Sequence, residues 1–409
     1  MPRTLYICYF GVREPLVQTQ VIPYLREIIT GGTDVHLLTF EPTELEADVV
    51  EAETLELAAA GITWHRRRYH KWPSVPATFY DILSGVLTVR SLMAKYEFDL
   101  LHGRVHIPTL MGALARKLSR KKPKLLFDIR GFFPEEYTDA GIWPEGGMLY
   151  RTAKRVERWL MKESDGFVVL TEKAREILFP ESKETGYDAQ GRPVEVIPCC
   201  VDFENRFSGD PELERKRVRS ELNLGDRQVI VHVGALGGLY LATEIADLLA
   251  AARLRRPDVF CLLLTQSDRS KIEPLLLERG FGSDDYFIGR VPPDKIEVYL
   301  YASDIGLSVV KATFATQSRS PTKIPEYLAC GLPIIANAGV GDVDKLITEN
   351  GVGALLKEFS PSGYAAAVSE LESLGDIADK CRETARREFD LERIGGARYR
   401  RLYEAFKHS

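Results

Sequence analysis

Short apolar runs alternate with longer amphipathic stretches from one end of the chain to the other, and this alternation limits the fold more than any other feature. The first runs are Leu5 to Tyr9, Val35 to Phe40, Ile62 to His65, Leu100 to His102, Leu125 to Asp128, Phe167 to Leu170 and Val194 to Ile197. Between them lie helical patterns such as Tyr80 to Lys95, Leu110 to Leu118 and Leu149 to Glu163. Strand–helix–strand alternation implies parallel sheets with helices on both faces. The pattern breaks at Asp202 to Glu221, a charged stretch with Gly209 and Pro211 that reads as a linker and the entry to a second domain. It restarts with Gln228 to Val233, Val259 to Leu264, Tyr286 to Ile288, Ile305 to Val309, Ile334 to Ala336 and Gly353 to Leu355. A chain of 409 residues is too long for one ordinary core. The expectation is an α/β protein of two Rossmann-like domains, residues 1–203 and 204–389, facing a central cleft. A charged helix over Leu391 to His408 ends the chain, and residues 390–409 either pack on the second domain or cross back to the first.

Composition narrows the function classes. The formal charge of −5 gives no global drive toward nucleic acid. Six cysteines include no C-x-x-C pair, so zinc is not expected and the thiols read as small buried hydrophobes in a reducing compartment. Met1-Pro2-Arg3-Thr4 runs straight into the first apolar run, unlike a secretory leader. No apolar stretch approaches the ~20 residues that span a bilayer. A cytoplasmic protein is expected, at most peripheral at a membrane. Trp64 to Trp72 places basic residues between two tryptophans, and Lys117, Arg120, Lys121, Lys122 and Lys124 add a second basic cluster. These suit contact with anionic lipid and a lipid-linked acceptor, or equally a solvated basic loop or a site for an anionic soluble acceptor.

Four stretches could carry chemistry. Ser320 to Ala336 reads as a helix beginning at Ser320-Pro321, ending at Gly331 and followed by a buried strand. Lys323 and Glu326 share a face of it, either as an anion site for a diphosphate leaving group or as a plain surface ion pair. His232 to Tyr240 is a glycine-rich turn after the second domain's first strand, and it lacks the G-x-G-x-x-G fingerprint. Phe127 to Tyr137 leaves the carboxyl end of a strand with Asp128 and Arg130, either facing a ligand or holding the loop. Gly11 to Gln20 is a long polar loop after the first strand. Asp342-Val343-Asp344 spells D-x-D but reads as the acidic first turn of a helix rather than a metal site.

Taken together, these stretches resemble glycosyltransferase family 4, with the GT-B fold, over nearly the whole chain. The marks are R-E-P-L-V-Q-T-Q at Arg13 to Gln20, D-I-R-G at Asp128 to Gly131, L-T-E-K-A-R-E-I-L at Leu170 to Leu178 and V-I-P-C-C-V-D at Val196 to Asp202. G-A-L-G-G-L-Y at Gly234 to Tyr240 and S-P-T-K-I-P-E-Y-L-A-C-G at Ser320 to Gly331 complete the set. The resemblance implies retaining transfer of a sugar from a nucleotide diphosphate to a glycan or lipid-linked acceptor, with no metal and no cofactor. By that likeness Glu326 would hold the ribose, and Lys323, with Arg319 or Ser320, the diphosphate. Gly237 and Gly238 would let the backbone approach the donor. Arg290 and Val291 would sit beside the base, and Gly339, Val340 and Gly341 would line the donor sugar or phosphate. Arg13, Glu14, Gln18 and Arg104 would fall on the acceptor side. Two departures stand out. Many members carry a glutamate eight positions before the one at 326, where this chain has Ser318, and many carry a histidine where it has Asp128-Ile129-Arg130. Asp128 and Arg130 therefore join Lys323 as catalytic candidates. The rivals are a sugar-nucleotide epimerase of the same architecture and a non-catalytic scaffold that binds a sugar nucleotide.

Overall fold

The computed structural model describes residues 1–207 and 209–407. It divides into two compact units, Met1–Pro198 together with the chain from Leu391 onward, and Cys199–Asp390. All the expected apolar runs form strands. The first unit contains β1 (Arg3–Ile7), β2 (Asp34–Glu41), β3 (Ile62–Arg68), β4 (Leu100–Arg104), β5 (Lys124–Ile129), β6 (Gly166–Val169) and β7 (Val194–Val196). The second contains β8 (Val229–Val233), β9 (Phe260–Leu264), β10 (Tyr286–Gly289), β11 (Ile305–Ser308), β12 (Ile334–Asn337) and β13 (Gly353–Leu356). The sheets run β3-β2-β1-β4-β5-β6-β7 and β10-β9-β8-β11-β12-β13, parallel throughout. Each is doubly wound, so strand order reverses at β1/β4 and at β8/β11, where such sheets bind ligands beyond their carboxyl ends.

Both reversal points are sealed the same way. The fourth strand of each sheet carries a glycine, and a side chain on it would collide with the helix that follows. At Gly103 a Cβ would lie 2.4 Å from the Thr109 backbone; at Gly306 it would lie 2.4 Å from the Tyr327 ring. In the second unit the Tyr327 hydroxyl then bridges the two strands. It accepts from Val233 N at 2.9 Å and donates to Leu307 O at 3.2 Å. The helix Lys323–Ala329 is thereby fixed across the end of β8 and β11.

Several boundaries differ from expectation. The helix read as Tyr80 to Lys95 spans Ser74–Tyr96, and that read as Leu110 to Leu118 spans His106–Lys117. The expected linker is partly helical: Pro211–Glu221 forms a helix capped by the Asp210 carboxylate, which accepts from Glu212 N and Leu213 N. Ser208 of that stretch lies outside the described residues, as do His408 and Ser409 at the end of the chain. The final segment is a π-helical turn, Leu391–Gly396, followed by an α-helix, Ala397–Ala405. It joins the first unit through Tyr399 to Asp128, Tyr403 to His102 and Arg398 to Val196 O. Among the described residues no helix is long and apolar enough to cross a membrane.

Tyr327→Phe keeps the ring against Gly306 but removes the bridge and strands a donor and an acceptor at the strand ends. The expected loss is ~1–3 kcal/mol of unfolding free energy, read from urea titration. An unchanged urea midpoint contradicts this account of the bridge.

Candidate active site

Lys323 opens its helix and lies only 7% exposed. Its Nζ has no hydrogen-bond partner among the described residues. The ammonium instead sits over the Tyr240 ring, 5.2 Å from the centroid. It also presses against Gly234, where a Cβ would approach Nζ to 3.3 Å. Burial drives the Lys323 pKa down to about 7, and the Glu326 carboxylate opposes that fall. Beneath it, at the end of β8, burial and then the Lys323 charge push the His232 pKa well below its ordinary value. A buried ammonium without a counter-charge is costly, and it marks a place prepared for an anion. The helix has only seven residues, so the lysine rather than the helix dipole carries this attraction.

Glu326 does not pair with Lys323. Its Oε1 accepts from Arg206 Nη1 at 3.0 Å, and Arg206 Nη2 reaches Pro293 O at 3.0 Å. Burial raises the Glu326 pKa, with Arg206 pulling the other way. Arg206 was missed in the sequence because it lies in a stretch that reads as linker, where one charge among many carries no signal. Tyr240 was missed because an aromatic at the end of a glycine turn looks like ordinary packing.

The remaining donor-side candidates divide. Gly237 and Gly238 adopt positive φ, and Gly237 N donates to Tyr240 O at 2.8 Å, so that N–H closes the turn rather than projecting to a ligand. Arg290 donates to Gln266 at 2.8 Å, and Val291 packs on the core. Arg319 N donates to Thr316 O, and the Ser320 hydroxyl accepts from Cys199 N at 3.1 Å. Ser320 and Pro321 precede the helix rather than open it. Ser318 is buried and donates to Ala315 O. Gly339 N donates to Asp344, Gly341 N to Thr316 O, and the Val340 side chain is core. Asp344 of the D-x-D is thus the clasp of the Gly339–Gly341 loop.

In the first unit, Asp128 is the next-to-last residue of β5 and is 0% exposed. Tyr399 donates to its Oδ2 at 3.1 Å, and His102, Arg104 and Arg130 stand 3.6, 3.8 and 3.7 Å away. Burial pushes the Asp128 carboxyl up, yet Arg130, His102 and Arg104 outweigh it and hold the pKa at about 2. Arg104 is itself buried, with Nη1 3.4 Å from Tyr6 Oη and from Gln20 O, so it sits beneath the surface where an acceptor contact was expected. In the Gly11 to Gln20 loop, Arg13 faces Glu53 at 3.4 Å, and Gln18 donates to Val12 O within the loop. Glu14 precedes the helix Pro15–Gln20 without capping it. The buried Glu41 carboxylate, not singled out from the sequence, anchors this loop by accepting from Val12 N at 3.1 Å.

Two doubly wound parallel sheets, the second with a buried lysine at its reversal point, define the class: an α/β protein of the kind that takes ligands beyond the carboxyl ends of its strands. The sequence matches the profiles of Glycosyltransferase Family 4 over residues 17–205 and Glycosyl transferases group 1 over residues 214–388. The chain belongs to the family 4 glycosyltransferases, with the GT-B fold. A 2-deoxystreptamine glucosyltransferase from Streptomyces kanamyceticus is 27% identical over 154 residues, 37% of this chain and 38% of that one, so the match spans under half of that relative. Among solved structures, sucrose-phosphate synthase from Thermosynechococcus elongatus superposes with a TM-score of 0.71 at 18% identity, covering 99% of this chain and all of that one. Anabaena HepE in complex with UDP and glucose superposes with a TM-score of 0.70 at 17% identity over 100% of both chains. At these identities the two structures establish the fold alone.

Replacing Lys323 by methionine keeps the volume and removes the stranded charge. With the folded pKa at about 7 against 10.5 ordinarily, the unfolded chain holds a proton between those values that the folded chain has released. Wild-type stability therefore rises with pH across that window, and its full penalty is present below about 7. Lys323→Met is expected to be more stable by ~1–3 kcal/mol at neutral pH, with the advantage shrinking toward pH ~10. Melting curves across that range check this; a variant less stable than wild type at neutral pH contradicts it.

Proposed function

We propose that the protein transfers a sugar from a nucleoside diphosphate sugar to an acceptor hydroxyl, with retention and without a bound metal ion. The observation that carries this is the buried, unpartnered Lys323 ammonium at the β8/β11 reversal point. The bond between the sugar anomeric carbon and the diphosphate oxygen breaks, and the acceptor oxygen bonds to that carbon from the same face. The acceptor proton passes to the departing phosphate. Negative charge grows on the diphosphate as the bond breaks, and Lys323 gains its missing partner at that moment. Glu326, held by Arg206, has the geometry to receive ribose hydroxyls. The relatives' names support the donor class: one structure holds UDP and glucose, and the curated relative is a glucosyltransferase. Asp344 spends its carboxylate on Gly339 N, which favours a structural over a metal-ligating role. Asp128 is sealed from contact with any substrate and acts by orienting Arg104 and Arg130.

Lys323→Ala is expected to lower kcat roughly 100–1000-fold, the usual cost of removing a donor to developing charge. Wild-type turnover should persist in excess EDTA and appear only when an acceptor is supplied. Steady-state kinetics of the folded variant decides: near-wild-type turnover removes Lys323 from the mechanism, and chelation loss restored by Mn²⁺ overturns the metal-free reading.

The acceptor side carries a second part of this reading. The helix Ser74–Tyr96 turns Val75, Phe79, Leu83 and Leu87, every fourth residue, to solvent, with Trp72 just ahead of it. Trp72 is 85%, Phe79 62% and Leu87 63% exposed. The exposed Arg66, Arg67 and Arg68 stand alongside on the edge strand β3, with Arg67 bonded to Ser84 of the helix. An apolar stripe flanked by basic residues suits an anionic lipid surface, each arginine adding about 1 kcal/mol. Trp64 takes no part, since its indole donates to Thr39. The second basic cluster is partly neutralised, by Lys117 with Glu163 and Lys121 with Glu97. The acceptor is accordingly lipid-linked and the first unit docks on the membrane. The protein should float with anionic vesicles at low salt, and Phe79→Glu with Leu83→Glu should release it. Absence of cosedimentation rules out docking.

A further inference from the structure

We propose that Tyr240 is a positioning residue for Lys323, its ring face holding the ammonium in place above the end of β8 until the donor diphosphate arrives. The proposal rests on the reading of Lys323 as the diphosphate-binding cation. The Tyr240 ring centroid lies 5.2 Å from Nζ, and Nζ makes no hydrogen bond among the described residues. The ring is itself fixed. Tyr240 N and O both bond to Gly237 across a turn whose two glycines have positive φ. Leu239 O next to it accepts from Lys311 N at 2.8 Å, which ties the turn to the end of β11. The ring also packs against the core of the unit. Gly234 supplies the space on the other side, since its missing Cβ would crowd Nζ. An aromatic face attracts a cation without neutralising it, so it can steady the lysine yet leave its charge available to an incoming anion. A carboxylate in the same place would compete with the diphosphate. The nearest carboxylate, Glu326, is engaged by Arg206 instead.

Other charged or titratable groups face this corner. They are His232 on β8, Glu326 on the lysine's own helix, and Lys271, whose side chain reaches Gly237; Lys311 joins the turn by its backbone N. Of these, His232 is held neutral by burial and the Lys323 charge. Burial lowers the Lys323 pKa to about 7 and Glu326 opposes the fall; the ring face adds a second attraction for the charged form, so without it Lys323 should lose its proton at lower pH.

The test measures binding of pyrophosphate, UDP, GDP, ADP and dTDP to the full chain by calorimetry from about pH 6 to about pH 9. Tyr240→Leu should bind wild-type-like at the acid end and roughly 3–30-fold more weakly above neutrality, with greater proton uptake on binding. Tyr240→Phe retains the ring and should restore the wild-type pH dependence. A merely structural role for the turn would weaken binding equally at every pH, and that result overturns the proposal. So does a Tyr240→Leu profile superimposable on wild type. Lys323→Met separates the two levels of argument: if it binds the probes as wild type does, the diphosphate reading falls and this inference with it. If it loses binding while Tyr240→Leu follows wild type, only the role of Tyr240 falls.

Discussion

The Tyr327 hydroxyl, bonded to the last amide of β8 and to a carbonyl of β11, is the interaction on which the second unit's chemistry depends. A doubly wound sheet opens where its strand order reverses, and something must close that opening or use it. Gly306 lets the Tyr327 ring lie flat on β11, and the hydroxyl then bridges the two strands that diverge. Because Lys323 is four residues earlier, on the same face of the same helix, fixing Tyr327 also fixes where the lysine's backbone stands. From there its side chain runs between Gly234 and the Tyr240 ring. That is how a flexible side chain comes to be buried without a partner.

The two units treat charge in opposite ways at equivalent places. In the first, the strand end beside the reversal point is crowded with Asp128, Arg104, Arg130 and His102, roofed by Tyr399 from the final helix. The carboxylate is matched several times over and stays ionised deep in the protein. In the second, the Lys323 ammonium is buried with no hydrogen-bond partner among the described residues, and Glu326, which favours its charge, is bonded to Arg206 instead. The first cluster is matched in charge, although His102 Nε2, Arg104 Nε and Asp128 Oδ1 make no hydrogen bond among the described residues; the second is not matched in charge at contact distance. The first arrangement suits a scaffold that must present a loop in one geometry, and the second suits a site whose partner comes and goes.

This contrast explains what could be read from the sequence. Every strand was legible, because a strand in a parallel sheet is a short unbroken apolar run such as Phe260-Cys261-Leu262-Leu263-Leu264. Lys323 and Glu326 were legible as a pair because helical spacing is local, but their pairing was not, since Arg206 reaches Glu326 across 120 residues of chain. The environment of Asp128 was hidden for the same reason: Tyr399 lies 271 residues away. The first turns of the helix Ser74–Tyr96 carry Val75 and Phe79 outward, opposite to a core helix, so apolar periodicity placed the start too late. Glycines could be marked as a turn, yet whether their N–H groups face a ligand or each other depends on Tyr240 O, which no spacing rule specifies.

The glycine turn also shows why a donor site need not be assembled from many polar contacts. Of the backbone donors expected to reach a ligand, Gly237 N is taken by Tyr240, Gly339 N by Asp344 and Gly341 N by Thr316. These bonds spend the amides within the protein itself. A single ammonium in a water-poor corner exerts a stronger field than the same charge at the surface, because little solvent screens it. The loops supply the shape and the exclusion of water, and one lysine supplies the charge.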